Sequence, residues 1–144
     1  MKTTILRSSL AALACTAVLA IATPSMAANV NLKADLKGAS EVPPVDSKGA
    51  GSVTATYDTA TKKLSWKGSV SGLSGPATAA HFHAGEAGKN GAVVVPIAGA
   101  EKGSFEGSAT LTDEQATDLM AGKWYVNVHT TANKGGEVRG QVTK

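Results

Sequence analysis

The sequence is short of cysteine, histidine and aromatic residues, and these shortages limit the chemistry open to it. Of its 144 residues only one is a cysteine, Cys15, and it lies in the apolar N-terminal stretch. Residues 28–144 therefore contain no thiol, which excludes a disulfide, a thiolate metal site and a cysteine nucleophile in that part of the chain. Aromatic residues make up 4% of the chain, and there are only three histidines to consider.

The N-terminal segment has the composition of a secretory signal peptide. Lys2 and Arg7 give it a short positive region, and residues 10–22 are almost wholly apolar. Ser25 and Ala27 then supply small residues at the −3 and −1 positions of a cleavage point. Positive, apolar and small-residue regions in this order are typical of an exported precursor. We therefore predict a signal peptide that is removed after its last small residue.

Cleavage there divides the chain into a signal peptide, residues 1–27, and a mature single domain, residues 28–144, in the periplasm or the medium. The apolar stretch is roughly 13 residues long, short of the ~20 that cross a bilayer as a helix, so we expect no transmembrane span after signal removal. Removing Lys2 and Arg7 leaves 12 basic residues against 11 acidic ones, a net charge of +1. No basic cluster indicates binding to nucleic acid.

Glycine is abundant where cysteine is absent, since all 16 glycines lie beyond residue 28. They separate short runs of alternating apolar and polar residues, which is typical of an all-β domain. We predict a Greek-key β-sandwich of about eight strands in two sheets. The predicted strands are Asn31–Lys37, Gly51–Tyr57, Lys63–Val70, Ala77–Ala84, Ala92–Ile97, Ser104–Thr110, Trp124–Thr131 and Glu137–Thr143.

The period of the apolar residues changes once, between the sixth and seventh predicted strands. Thr112 or Asp113 can cap a helix, and an acidic pair follows that favours a helix N-terminus. Apolar side chains such as Leu119 then recur on one face, and Gly122 is suited to end the helix. The sequence predicts one short helix near residues 113–121.

The three histidines lie on two predicted strands. His81 and His83 flank Phe82, so both point to the side opposite that core residue, with Cα atoms roughly 6.5 Å apart. His129 closes a later strand. Without a thiolate, three imidazole nitrogens favour copper or zinc, and copper(II) stands highest in the divalent affinity order. We predict a metal site of His81, His83 and His129 that binds copper in preference to zinc.

Other interpretations of the histidines and of the polar residues near them stay open at this point. A His-x-His pair alone is a weak motif and equally describes polar residues on a solvated strand face. Tyr125 and Asn127 share the predicted face of His129 and could hydrogen-bond near a metal. Glu137 and Arg139, two residues apart on one face, either form a structural ion pair or orient an imidazole from behind.

Several motifs in order resemble one known family. They are Glu41–Val45, Leu73–Pro76, Ala80–Gly85, Gly88–Gly91, Tyr125–Thr130 and Gly135–Gln141. Together they resemble the chordin-domain (CHRD) family over about Leu36 to Val142. The family occurs as repeated domains in the animal developmental antagonist chordin and as single-domain exported proteins of bacteria. The resemblance implies a CHRD-like domain and leaves the biochemical role open.

A second similarity concerns the histidines. The His-x-His strand, the glycine-rich segment after it and a histidine ending a late strand are similar to the copper ligands of copper/zinc superoxide dismutases, which are also Greek-key sandwiches. This similarity implies that His81, His83 and His129 are copper ligands. The sequence lacks a fourth histidine to bridge two metals, a zinc-ligand loop and a disulfide. We therefore expect no ordinary superoxide dismutase activity.

Two classes of function follow from these observations. In the first, an exported metal-binding protein sequesters, transfers or reacts with copper through its three histidines. In the second, a non-catalytic interaction module without a metal requirement binds another envelope or extracellular protein. No Gly-x-Ser-x-Gly elbow is present, and a histidine base would have to come from the metal site. We predict no catalytic residue, and a copper-dependent redox enzyme is the less favoured extension of the first class.

Overall fold

A computed structural model describes residues 27–144, so the predicted signal peptide lies outside the described residues except for Ala27. The strands are β1 (Asn29–Lys37), β2 (Ala50–Asp58), β3 (Lys63–Ser71), β4 (Ala77–Ala84), β5 (Val93–Ile97), β6 (Ser104–Thr110), β7 (Trp124–Thr130) and β8 (Val138–Gln141), and the helix is α1 (Asp113–Met120). The all-β prediction is confirmed, and all eight predicted strands are present with ends shifted by at most two residues.

The strands form one continuous antiparallel sheet in the order β5-β4-β7-β8-β1-β2-β3-β6. This differs from the two separate sheets that the sequence predicts. The two halves of the sandwich are instead joined where β8 pairs with β1, at Arg139 opposite Lys37 and through a bridge from Thr143 to Lys33. β5 and β6 are the two edges, and because they contact each other the sheet is nearly closed.

The core lies between the two halves of this sheet. The Trp66 ring of β3 meets the Phe82 ring of β4 edge-on, with centroids 5.2 Å apart, and Phe82 also contacts Trp124 of β7. Val126 and Val128 continue the inward face of β7 and are fully buried. Because side chains alternate along a strand, the neighbouring residues of β4 and β7 point away from this core.

The α-helix found among residues 27–144, α1, is the one predicted from the sequence. Thr112 caps it, since its hydroxyl accepts a hydrogen bond from the Gln115 backbone N–H while the Gln115 side chain accepts one from the Thr112 backbone. Gly122 follows the helix with a φ of 74°, a conformation that glycine adopts without strain. Neither this helix nor any other among residues 27–144 has the length and apolar character needed to cross a membrane.

Candidate metal centre

The three histidines converge on the outer face of β4 and β7. These strands are antiparallel neighbours, with His81 opposite Asn127, so that His129 lies diagonally across from His81 on the same face. His81 Nδ1 and His129 Nε2 are 3.2 Å apart. One ring nitrogen from each of His81, His83 and His129 lies within 4.8 Å of the other two.

Backbone carbonyls fix which nitrogen two of these rings can offer. His83 Nδ1 lies 3.0 Å from the Gly91 carbonyl oxygen, and His129 Nδ1 lies 2.9 Å from that of Lys134. A carbonyl can only accept, so each ring donates from Nδ1 and keeps a lone pair on Nε2. Metal-binding histidines are oriented by the same kind of second hydrogen bond.

The free nitrogen of His83 is buried. His83 is 8% exposed, and its Nε2 has no hydrogen-bond partner in residues 27–144. The side-chain oxygen of Asn127 is likewise buried without a partner, and the Asn127 side chain interacts with the His83 ring. Leaving buried polar atoms unpaired costs free energy. A metal ion bound at Nε2 of His83 would remove part of that cost.

Burial also keeps two of these rings in the form that binds metals. Desolvation, with a smaller contribution from the neighbouring histidines, lowers the pKa of His81. Desolvation likewise lowers the pKa of His83, outweighing the opposite effect of its hydrogen bond to Gly91. Both imidazoles are therefore neutral at neutral pH, with a lone pair available.

A three-layer stack lies behind His83. The Tyr125 ring is parallel to the imidazole, with an interplanar angle of 6° and centroids 4.8 Å apart. On the other side the guanidinium carbon of Arg139 lies 3.4 Å from the centroid of the Tyr125 ring. Arg139 is 2% exposed. Tyr125 therefore contacts the metal-site ring directly, whereas Arg139 acts through it.

The loop between β4 and β5 is tied over this stack. Arg139 donates to the side-chain oxygen of Asn90 and to the carbonyls of Lys89 and Glu86, at 3.1, 2.7 and 3.3 Å. The Tyr125 hydroxyl accepts from the Gly91 N–H at 3.1 Å. These bonds hold the loop in place, and with it the Gly91 carbonyl that selects the His83 tautomer.

The ion pair considered between Glu137 and Arg139 is not formed among residues 27–144, where the ion pairs are Lys62–Asp113 and Lys89–Glu86. The buried Glu137 carboxylate accepts five hydrogen bonds of 2.5 to 3.2 Å, from the Ser47 hydroxyl, the Ser74 N–H and hydroxyl, the Thr130 hydroxyl and the Asn133 amide. Burial alone would raise the pKa of Glu137, but these bonds hold it at about 2.

Glu137 reaches the metal site only indirectly. Its bond to Asn133 ties down the turn after β7, and Lys134 of that turn supplies the carbonyl that holds His129. Glu137 is therefore a structural residue that positions His129 from a distance. Of the residues proposed to support the histidines, Tyr125 and Asn127 contact or face His83, and Arg139 and Glu137 act through neighbours.

Glu41 is a buried residue that the sequence reasoning did not select for the site. It is 5% exposed, and its Oε1 has no hydrogen-bond partner in residues 27–144. It lies beside Gly136 and the Asn127 amide, where a side chain at Gly136 would overlap both. Burial raises the pKa of Glu41 to about 7, although the nearby Arg139 lowers it. Its place at the start of the Glu41–Val45 motif was the available signal.

The family model of the CHRD domain matches residues 32–142. The chain belongs to the CHRD domain family. This confirms the resemblance expected from about Leu36 to Val142. No curated protein and no solved structure matches the chain. Membership favours an extracellular or envelope module, and the similarity to the superoxide dismutase copper site stays a prediction.

Large hydrophobic side chains are almost all buried in this CHRD domain. Among residues 27–144, Val93 is the only large hydrophobic residue that is exposed, at 53%. Single exposed hydrophobic residues are ordinary on soluble proteins. Three histidines whose ring nitrogens lie within 4.8 Å of one another, in contrast, form a group able to hold a metal ion.

Proposed function

We propose that this protein is an exported copper-binding protein whose ligands are His81 Nδ1, His83 Nε2 and His129 Nε2. The observation that carries the proposal is the convergence of three nitrogens, two of them assigned by backbone carbonyls on the opposite side of the ring. Three imidazoles suit copper and zinc, and copper binds more tightly to such sites. Sequestration or transfer of copper is the role that this arrangement fits.

The distances support binding with little rearrangement. Nitrogens that bind a metal at ~2.0 Å in an open geometry are roughly 3 to 4 Å apart. The separation of His81 Nδ1 and His129 Nε2, 3.2 Å, already meets this requirement. His81 Nδ1 donates the hydrogen bond across this gap, so metal binding moves that proton to Nε2 of the same ring. Since all three nitrogens lie within 4.8 Å of one another, His83 needs to approach by at most about 1 Å, which a side-chain rotation supplies.

The direct test is a copper titration of the protein expressed as the full chain and purified without a histidine tag. We expect one equivalent of copper(II) with a nitrogen-rich electron paramagnetic resonance spectrum. His129→Ala should weaken binding at least tenfold, since a ligand is lost. Lys134→Ala is the matched control, because it keeps the carbonyl that holds His129. Its binding should be unchanged.

Two results would contradict copper binding at this site. One is the absence of stoichiometric binding by the wild-type protein. The other is a spectrum that is indifferent to His129→Ala. Either result would make the histidines a polar surface feature and favour the interaction module, whose partner would then be sought by crosslinking. Equal binding by a variant lacking all three histidines would lead to the same conclusion.

Export is part of the proposal and has its own measurement. The positive, apolar and small-residue regions of residues 1–27 support cleavage after Ala27. Protein recovered from the periplasm or the medium should therefore begin at Ala28 by N-terminal sequencing and intact mass. Ala27→Asp should accumulate the precursor, because a charged residue replaces the small one at −1. Full-length wild-type chain retained in the cytoplasm would contradict export.

A further inference from the structure

We propose that the buried Arg139 guanidinium makes the three-histidine site prefer the cuprous ion to divalent cations, both copper(II) and zinc(II). The inference rests on the proposed copper site and names its preferred ligand. It follows from three features of the described residues. These are a ligand set without charge, a buried cation that forms no ion pair among the described residues, and a short path between the two.

The ligand set carries no negative charge. The group able to hold a metal consists of His81, His83 and His129 alone, with no carboxylate among them. Of the nearby acidic residues, Glu86 is exposed and pairs with Lys89, and Glu137 is held by hydroxyl and amide donors. A divalent ion would keep both of its positive charges at this half-buried site, because no ligand neutralises them. A cuprous ion carries only one positive charge.

The Arg139 cation is offset only in part. Its hydrogen bonds go to the Asn90 side-chain oxygen and to two backbone carbonyls, all of them uncharged acceptors. Arginine does not lose its proton in proteins. Glu41 is the carboxylate that senses this charge, but burial raises its pKa to about 7, so at neutral pH it opposes Arg139 only in part. A positive charge that is 2% exposed therefore lies behind the site.

The stack brings this charge close to the metal. The guanidinium carbon lies 3.4 Å from the Tyr125 centroid, which is 4.8 Å from the His83 centroid. Taken end to end, these steps place the charge within about 8 to 10 Å of an ion on His83. At an effective dielectric constant of about 20, repulsion over that distance costs roughly tenfold in affinity for each unit of metal charge.

The test compares the affinities of the two copper ions at pH 7. Copper(I) affinity is measured without oxygen against a chromogenic cuprous chelator, and copper(II) and zinc(II) affinities against competing divalent chelators. We expect Arg139→Gln to lower the preference for copper(I) over copper(II) roughly tenfold and to raise zinc(II) affinity. Arg139→Lys should lower both copper affinities, because lysine does not reproduce the stacked and hydrogen-bonded contacts of arginine. It keeps the charge, however, so the preference should change by less than about threefold.

Glu41→Gln separates charge from structural damage. Removing this carboxylate leaves Arg139 less opposed, so the preference for copper(I) should increase. If Arg139 had only a structural role, its loss would weaken the binding of copper(I) and copper(II) equally. The ratio of the two affinities would then be unchanged. An unchanged ratio in Arg139→Gln overturns the inference. If that variant fails to fold, an unchanged ratio in Glu41→Gln does so.

The inference and the proposed function fail in different ways. If wild-type protein binds neither copper ion, or if the histidine variants bind as well as wild type, the copper site itself is wrong. If binding depends on the histidines but the ratio of copper(I) to copper(II) affinity is the same in the Arg139 and Glu41 variants as in wild type, the copper site is correct. Only the proposed preference for copper(I) is then wrong.

Discussion

Glu137→Gln is expected to lower the free energy of unfolding by about 3 kcal/mol at neutral pH. The folded structure holds the pKa of Glu137 at about 2, below its ordinary 4.5, because hydrogen bonds from Ser47, Ser74 and Thr130 outweigh the effect of burial. That difference corresponds to about 3 kcal/mol of preference for the carboxylate. A glutamine side chain offers one oxygen and turns an NH₂ group toward donors, so several of these bonds are lost.

The loss should depend on pH in one direction only. Because the folded pKa lies below the unfolded value, the stabilisation from Glu137 is complete above about pH 4.5 and is lost as the pH falls toward 2. Wild-type protein loses this stabilisation on acidification, whereas the Glu137→Gln variant lacks it at every pH. The stability difference between the two proteins should therefore shrink steadily between pH 5 and pH 2.

Urea unfolding followed by circular dichroism at several pH values measures this difference. Glu106→Gln is the matched control, because Glu106 is an exposed carboxylate in a strand. Its unfolding free energy should stay within about 0.5 kcal/mol of wild type. A Glu137→Gln loss below that figure, or one that is equal at pH 7 and pH 2, would show that the buried carboxylate does not clamp these loops.

Gly91→Ala is expected to cost about 3 kcal/mol of stability and to weaken copper binding at least tenfold. A Cβ at Gly91 would overlap the backbone carbonyl oxygen of Ala84, which cannot move without breaking the end of β4. The loop must therefore shift. The shift withdraws the Gly91 carbonyl from His83 Nδ1 and the Gly91 N–H from the Tyr125 hydroxyl, so His83 loses its assigned tautomer.

Gly75→Ala is the control for the backbone effect, since a Cβ at Gly75 meets nothing within 4 Å. Its stability and its copper affinity should match those of wild type. The two properties are measured by urea unfolding and by competition with a copper chelator. A Gly91→Ala protein with wild-type copper affinity would mean that the loop carbonyl is not needed to orient His83.

The local patterns of the sequence were sufficient for the strands and the helix. Alternation has a period of two whatever the strand pairs with, so the segment containing His81, Phe82 and His83 could be assigned its inner and outer faces directly. The capping signal at Thr112 is equally local, because its partner Gln115 is three residues away. The same alternation placed Tyr125, Asn127 and His129 on one face.

The sequence by itself thus determined an all-β CHRD domain and the outward direction of its three histidines. Only the tertiary structure decided that β4 lies beside β7, and that Arg139 stacks on Tyr125 while Glu137 binds hydroxyls instead of pairing with it. These contacts join residues distant in sequence. They depend on which strands pair and how the loops close, and neither is encoded in the local alternation of side chains.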